Sequence, residues 1–236
     1  MAKITFVLGG ARSGKSAFAE GLAKKYNDVV YIATAEVKDD EMRERIQIHS
    51  ARRPFNWKTI ESPYHVDSVV SGLSEQTGVV FIDCITLYIT NMLLSETIVN
   101  PLRSGHGNPP PLTPPTKGGE TEVRTIHSSR NGKCEGENEK ALSDKITNSA
   151  FFSDTQAENL KQKQEMILNE INKLSKVCRK SKLDAIIVSN EVGLGIVPDN
   201  ALSRVFRDLA GRANQILADE ADEVYFMVAG IALRIK

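Results

Sequence analysis

The sequence has few cysteines, few aromatic residues and no excess of either charge. It contains three cysteines, one tryptophan and 6% aromatic residues, and its 30 basic residues balance 30 acidic ones. The cysteines show neither CxxC nor Cys/His spacing, which excludes a disulfide framework and a zinc finger, so we expect free thiols. The zero net charge argues against a nucleic-acid partner. Because no apolar run is long enough for a membrane span and no signal-peptide pattern is present, we expect a cytoplasmic protein.

A segment near the N-terminus fits the phosphate-binding loop pattern GxxxxGK[ST]. The loop consists of Gly9, Gly10, Ala11, Arg12, Ser13, Gly14, Lys15 and Ser16. A β-rich run precedes it and helical spacing follows it, which is the context that the pattern requires and which disfavours a chance match in a flexible turn. Backbone N–H groups and the helix N-terminus would bind phosphate oxygens. Lys15 would reach the β- and γ-phosphates, and the Ser16 hydroxyl would ligate Mg²⁺.

Along the chain, β-rich apolar runs alternate with helical patterns. This alternation predicts an α/β fold, with a mostly parallel, doubly wound sheet of the P-loop nucleoside triphosphatase type. The predicted strands are Ile4 to Leu8, Val29 to Ala33, Trp57 to Glu61, Val79 to Asp83, Ala185 to Ser189, Glu223 to Val228 and Ala232 to Ile235. The predicted helices are Lys15 to Tyr26, Asp40 to Ala51, Val66 to Ser74, Thr86 to Ser95, Glu158 to Lys180 and Ala201 to Ala218.

One segment interrupts this order. Residues from about 96 to 156 are rich in Pro, Gly, Ser and Asn and show little periodicity. Such a segment is either a functional lid or an insertion without structure, and its composition favours the insertion. We therefore expect a single domain over residues 1–236, interrupted by a disordered insertion at about 96–156. His106, His127 and Cys134 lie within it, and we assign them no role.

The run from Val79 to Cys84 is a hydrophobic strand that ends in an acid, as in a Walker B motif. After a phosphate loop, Asp83 would lie near the magnesium ion and hold it directly or through water. The alternative is an aspartate that only caps the following helix. The phosphate loop upstream favours the metal role. We interpret Cys84 as a small buried residue and not as a nucleophile.

A charged helix follows the second strand, with acids in its first turn, bases later and Pro54 at its end. His49 lies near its C-terminus, where a histidine is often only a partner of the helix dipole. Arg45, Arg52 and Arg53 surround it in sequence, and such a cluster could hold a triphosphate while the imidazole attacks it. The spacing suggests this role without proving it.

These motifs together resemble a known family, the bifunctional adenosylcobinamide kinase / adenosylcobinamide-phosphate guanylyltransferases of cobalamin biosynthesis. Besides the phosphate loop, the matching segments include Tyr31–Ala35, Asp40–Met42, Arg45–Ile46, His49, Arg53–Pro54, Trp57, Thr59, Asp83–Thr86 and Thr90–Asn91. Late in the chain they are Asn190–Pro198, Arg204, Phe206–Asp208, Gly211–Arg212, Asn214–Gln215 and Ala221–Val224. The resemblance covers nearly everything outside the insertion.

The resemblance implies two reactions at one nucleotide site. Adenosylcobinamide is first phosphorylated by a nucleoside triphosphate, and GTP then donates GMP to that phosphate, giving adenosylcobinamide-GDP and pyrophosphate. The substrates would be ATP and GTP, adenosylcobinamide and its phosphate, with Mg²⁺ as cofactor. The resemblance makes His49 the nucleophile that carries GMP, and Lys15 the second catalytic residue. By the same resemblance, further nucleotide contacts are Thr34, Ala35, Glu36, Ser50, Ala51, Arg52, Arg53, Glu61 and Asp83, and the assembly is a homotrimer.

Other functions stay open at this point. The chain could be a P-loop kinase of a small alcohol without nucleotidyl transfer, in which His49 is structural. It could also be a nucleotide-dependent binding protein without substrate chemistry. The segment Asn190–Pro198 follows a buried strand, where it is either a glycine-rich turn or a corrinoid contact. Arg207 and Arg212 on the next helix either face solvent or contact phosphate or a neighbouring subunit.

Overall fold

The computed structural model describes residues 2–51, 53–74, 77–95 and 154–236. Its strands are β1 Ile4–Gly9, β2 Val29–Ala33, β3 Lys58–Glu61, β4 Val79–Asp83, β5 Asp184–Asn190, β6 Glu223–Val228 and β7 Ile231–Arg234. Its helices are α1 Lys15–Ala23, α2 Asp40–Ala51, α3 Val66–Ser71, α4 Ile85–Leu94, α5 Asp154–Lys180 and α6 Ala201–Glu220. Residues 96–153, which make up most of the predicted insertion and include His106, His127 and Cys134, lie outside the described residues, as does Arg52.

The strands form one seven-stranded sheet in the order β3-β2-β4-β5-β1-β6-β7. All neighbours pair in parallel except β6 and β7, which form an antiparallel hairpin at one edge. This mostly parallel α/β sheet confirms the predicted fold class. Because β5 lies between β1 and β4, the end of β4 is two strand spacings from the end of β1, roughly 9.5 Å. Gly9 is in register with Asn190, and Val188 with Asp83.

Both faces of the sheet are covered, so the central strands are apolar throughout and do not alternate. One face carries Phe6, Ile32 and Ile82, which pack with residues of α4, α5 and α6 in one cluster. The opposite face carries Tyr31 and Phe81 together with α1 and Trp57. Within the described ranges, no helix is both long and apolar enough to cross a membrane.

Several helix ends differ from the prediction. α1 ends at Ala23 and not at Tyr26, because the N–H groups of Lys25 and Tyr26 turn back to carbonyls only three residues earlier. α3 ends at Ser71 and not at Ser74, and Gly72 is its C-cap. α5 begins at Asp154, so the last three residues of the predicted insertion are helical, which fits an aspartate near a helix N-terminus.

Candidate active site

The loop after β1 has the backbone shape of a phosphate cradle. The N–H of Ser13 donates to the Gly10 carbonyl at 3.3 Å, and the N–H of Phe18 donates to the Gly14 carbonyl at 3.0 Å as α1 begins. Arg12 and Gly14 have positive φ values of 56° and 91°. Alternation of this kind turns successive N–H groups toward one point and favours an anion there.

The β6–β7 hairpin supports this loop from the side. The N–H of Gly230 in the hairpin turn donates to the Ser13 carbonyl at 3.0 Å. A Cβ added to Gly14 would lie 3.2 Å from the Gly230 Cα, and one added to Gly9 would lie 2.6 Å from the Met227 carbonyl oxygen. The hairpin therefore leaves little room for a side chain at Gly9 or Gly14. The sequence pattern includes both glycines but does not reveal this contact with the hairpin.

Lys15 begins α1 and lies under the loop. Its side chain is buried, and its Nζ donates to the Gly10 carbonyl at 2.9 Å. Burial lowers the pKa of the Lys15 ammonium, while the neighbouring Cys84 and Asp83 oppose that shift. The end of β4 lies at the same edge of the sheet as the phosphate loop, because β1, β5 and β4 are parallel neighbours with Gly9 in register with Asn190 and Val188 with Asp83. The structure thus brings together the two charged groups that a phosphate site needs.

Asp83 ends β4 with its carboxylate on the α1 side of the sheet. Its Oδ2 accepts a hydrogen bond of 2.8 Å from the Tyr31 hydroxyl. The N-cap residue of α4 is Cys84, so a capping role does not explain Asp83. The Ser16 hydroxyl and the Asp83 carboxylate are hard oxygen donors, and Mg²⁺ is usually bound by one or two such groups plus substrate phosphates and water. The donor set therefore fits Mg²⁺.

A buried polar network fixes the strand ends around Asp83. Thr34 Oγ1 donates to the Cys84 carbonyl and accepts from the Cys84 N–H, both at 2.8 Å. Asn91 Nδ2 donates to the Thr34 carbonyl at 2.7 Å, and Asn190 Nδ2 donates to Thr86 Oγ1 at 2.6 Å. Because each of these groups is buried or half-buried, removal of one partner would leave the other without a hydrogen bond. The network thus links the C-terminal ends of β2, β4 and β5 to one another.

Neither of the two described cysteine thiols is suited to act as a nucleophile, although Cys84 Sγ lies 3.1 Å from Thr86 Oγ1 in the polar network. Cys84 and Cys178 are buried free thiols, as predicted, and Cys134 lies outside the described residues. Burial, aided by the Asp83 charge, raises the pKa of Cys84 to about 11. A thiol of this pKa is protonated near neutral pH and is a poor nucleophile. Cys84 therefore acts as a small packing residue.

Arg53 reaches the site from the segment after α2. Its guanidinium carbon lies 3.7 Å from the centroid of the Tyr31 ring, and Trp57 stacks near the same ring with centroids 6.4 Å apart. The Arg53 Nε is buried and has no hydrogen-bond partner among the described residues. This buried donor lies over the Tyr31 ring, whose hydroxyl binds Asp83, and a phosphate oxygen would supply the partner that it lacks.

His49 lies in the last turn of α2, half-buried. Among the residues that the structure describes, its side chain has no hydrogen-bond or ion-pair partner, either in the phosphate loop or elsewhere. No described residue of α2 is buried, so the helix lies on the outside of the domain. Since Arg53 is four positions later, the Cα atoms of His49 and Arg53 are at most about 14 Å apart.

The remaining predicted nucleotide contacts follow β2, α2 and β3. Thr34 is buried, and Ala35 and Glu36 are half-buried. Glu36 accepts from the Tyr64 hydroxyl at 3.4 Å and lies 3.4 Å from the Lys38 ammonium. Ser50, Ala51 and Glu61 are exposed. The structure thus gathers the loop, Asp83, Thr34 and Arg53. The Arg53 N–H donates to the Ser50 carbonyl at 3.2 Å, and Glu61 is in register with Ala33, directly before Thr34. Every predicted role here stays a prediction.

A phosphate loop between a buried strand and a helix, with a lysine and an acid facing it, defines a P-loop nucleotide-binding protein. Comparison with known proteins identifies the family within this class. The family model described as cobinamide kinase / cobinamide phosphate guanyltransferase matches residues 5–110 and 118–235. The chain belongs to this family, whose members are bifunctional enzymes of adenosylcobalamin biosynthesis.

Curated relatives cover the chain almost from end to end. It is 34% identical over 230 residues to the bifunctional adenosylcobalamin biosynthesis protein CobU of Salmonella typhimurium, covering 98% of both chains. It is 33% identical over 230 residues to CobU of Escherichia coli, again covering 98% of both. It is 32% identical over 231 residues to the corresponding protein CobP of Pseudomonas aeruginosa, covering 98% of this chain and 95% of the relative.

Proposed function

We propose that this protein phosphorylates adenosylcobinamide with a nucleoside triphosphate and then transfers GMP from GTP to the new phosphate. The products of the second reaction are adenosylcobinamide-GDP and pyrophosphate. Family membership supports both activities, and the site supports nucleotide binding at the loop Gly9–Ser16. ATP and GTP would be the substrates, and Mg²⁺ bound by Ser16 and Asp83 would neutralise phosphate charge.

One chain of contacts carries this proposal. The Arg53 guanidinium lies over the Tyr31 ring, and the Tyr31 hydroxyl donates to Asp83, which ends β4 at the same edge of the sheet as the phosphate loop. These contacts tie the segment that carries His49 to the loop that would hold the triphosphate. A helix outside the domain with a half-buried histidine would otherwise have no reason to be associated with a phosphate site.

His49 is the proposed nucleophile of the transfer. An imidazole nitrogen would attack the α-phosphorus of GTP, so that a P–N bond forms while the bond from the α-phosphorus to the bridging oxygen breaks and pyrophosphate leaves. An oxygen of the corrinoid phosphate would then attack the same phosphorus, which breaks the P–N bond and regenerates the imidazole. A neutral imidazole suits this role because it is nucleophilic near neutral pH and leaves readily.

Lys15 and Arg53 would act by holding the phosphates. In the structure Lys15 donates to the Gly10 carbonyl, so the ammonium is already directed along the loop. Exchange of that carbonyl for β- and γ-phosphate oxygens would satisfy the same donor with a charged acceptor, and hydrogen bonds between ions are roughly twice as strong as neutral ones. Arg53 would offset charge where His49 approaches.

The test is a product assay in two stages. The purified protein is incubated with adenosylcobinamide, Mg²⁺ and ATP, then with GTP, and the corrinoids are identified by mass spectrometry. We expect the phosphate first and the GDP derivative second. The variant His49→Ala should still produce the phosphate and none of the GDP derivative. A His49→Ala variant that still makes the GDP derivative would contradict the transfer mechanism, and absence of both products in the wild type would contradict the proposed function.

We further propose that the protein is a cytoplasmic homotrimer. The cytoplasm supplies the nucleoside triphosphates, and the resemblance implies three subunits. Two surfaces suit subunit contacts: the loop with Leu194 and Ile196, which are 81% and 95% exposed, and the edge strand β7 with its exposed Ile231 and Leu233, followed by the exposed Ile235. Sedimentation equilibrium should give three times the chain mass of 26.0 kDa. A mass that stays at one chain across concentrations would contradict the trimer.

A further inference from the structure

Tyr31 occupies a position between the two groups on which the proposed site depends. It lies in the middle of β2, is buried, and its ring faces the α1 side of the sheet. Its strand partner Phe81 meets the ring edge-on, with centroids 4.9 Å apart. Trp57 packs against both aromatic rings. These contacts on several sides hold the Tyr31 ring in one orientation.

The hydroxyl of Tyr31 is directed at the end of the neighbouring strand. Asp83 is two residues beyond Phe81 on β4, so the ring runs diagonally up the sheet and the hydroxyl donates to Asp83 Oδ2 at 2.8 Å. The bond fixes Asp83 Oδ2 and so limits the directions in which Oδ1 can point.

The face of the same ring carries Arg53. The guanidinium lies 3.7 Å from the ring centroid, and its Nε has no partner among the described residues. A guanidinium held flat on a ring keeps its plane and its remaining donors in a fixed direction. The position of one aromatic ring therefore determines both where the Asp83 carboxylate points and where the Arg53 fork points.

We propose that Tyr31 is a positioning residue of the nucleotide site, with its hydroxyl orienting the Asp83 carboxylate toward the metal and its ring orienting Arg53 toward the triphosphate. This inference rests on the proposed function, because it needs Asp83 to hold Mg²⁺ and Arg53 to bind phosphate. Tyr31 itself would contact neither the Mg²⁺ ion nor the triphosphate. Hydrogen-bond partners that orient a metal ligand typically change metal affinity about 10- to 100-fold when removed.

Two variants separate the two parts of this role. Tyr31→Phe keeps the ring under Arg53 and removes only the bond to Asp83. Tyr31→Leu removes the ring as well. Tyr26→Phe is the matched control, because Tyr26 donates a 2.7 Å hydrogen bond to Asp184 Oδ2 at the start of β5, the opposite end of the strand from Asn190. It removes an equivalent tyrosine–aspartate bond without touching the site.

The measurement is the affinity for a fluorescent GTP analogue as a function of Mg²⁺ concentration, with urea unfolding of each variant as the check on folding. We expect Tyr31→Phe to raise the Mg²⁺ concentration for half-maximal binding by about tenfold or more and to leave the affinity without Mg²⁺ unchanged. Tyr31→Leu should also weaken binding without Mg²⁺ by about threefold or more. Tyr26→Phe should change neither.

The outcomes distinguish this inference from the proposed function. If the wild type binds GTP with Mg²⁺ and Tyr31→Phe shows the Mg²⁺ dependence of Tyr26→Phe, the positioning role is wrong while the proposed function stands. If Tyr31→Phe only loses stability, with the same half-maximal Mg²⁺, Tyr31 is a packing residue. If the wild type binds no GTP at all, the proposed function fails and this inference fails with it.

Discussion

Addition of one methyl group at Gly9 should disturb the site more than a similar change elsewhere in the chain. A Cβ at this position would lie 2.6 Å from the Met227 carbonyl oxygen, 2.7 Å from Ser13 Oγ and 3.0 Å from Met227 Cβ. Met227 is the register partner of Gly9 on β6, so two of these three contacts are with the neighbouring strand. To reach ordinary contact distances, β1 and β6 must separate by about half an ångström or more.

The cost of such overpacking is about 1–3 kcal/mol in the free energy of unfolding. For a chain of this size, that corresponds to a fall in Tm of roughly 2–12 °C. Gly9→Ala should therefore shift the midpoint of urea unfolding downward with an unchanged slope, and it should weaken GTP binding because the loop backbone moves with Ser13.

The control is Gly21→Ala. Gly21 is an exposed residue of α1, and a Cβ there would meet nothing within 4 Å. Because alanine favours a helix over glycine, this variant should gain about 0.5–1 kcal/mol. The two methyl groups should thus act in opposite directions. A Gly9→Ala variant as stable as the wild type would refute the assignment of tight β1–β6 contact at the loop.

Three further outcomes follow from burial and pKa. The thiols of Cys84 and Cys178 are buried, and their pKa values are raised to about 11 and about 12. In native protein at pH 8 these two thiols should therefore resist Ellman's reagent and react only after denaturation. Rapid labelling of either thiol in the native protein would contradict their burial. Burial and the bond to Asp184 raise the pKa of Tyr26 from 10.0 to about 12, so this bond stabilises the fold fully below pH 10 and is lost as pH rises toward 12. The stability difference between wild type and Tyr26→Phe should shrink over that range, and a constant difference would contradict the sign. Ile187 in β5 is 1% exposed, so Ile187→Ala should lower the free energy of unfolding, measured with urea, by about 2–5 kcal/mol. A decrease of less than about 1 kcal/mol would refute the tight packing of this side chain.

Much of the fold could be predicted from apolar runs. The bounds of β2, β4 and β6 agree with the prediction, because each is a short run rich in β-branched and aromatic residues. Helix ends were less accurate, as in α1, where the last predicted turn forms hydrogen bonds across three residues and not four. The spacing of apolar residues in the sequence cannot distinguish hydrogen bonds across three residues from those across four.

The site was predicted by motif, and its internal contacts were not. The phosphate loop and Asp83 follow from residue types at fixed positions, but the facing of Asp83 and Lys15 depends on which strands lie between them. The roles of Tyr31 and Gly230 depend on strand register and on a hairpin more than 200 residues from the loop. Pairings over such distances leave no signal in a local pattern.

Transfer of GMP through His49 can be detected on the protein itself with GTP labelled at the α-phosphate. Protein incubated with this GTP and Mg²⁺ is denatured, and the label bound to protein is measured. We expect acid-labile label on the wild type and none on His49→Ala. His65→Asn should be labelled like the wild type, because His65 has a left-handed backbone conformation that asparagine tolerates. Label that persists in His49→Ala, or a wild type that binds GTP without becoming labelled, would contradict transfer through His49.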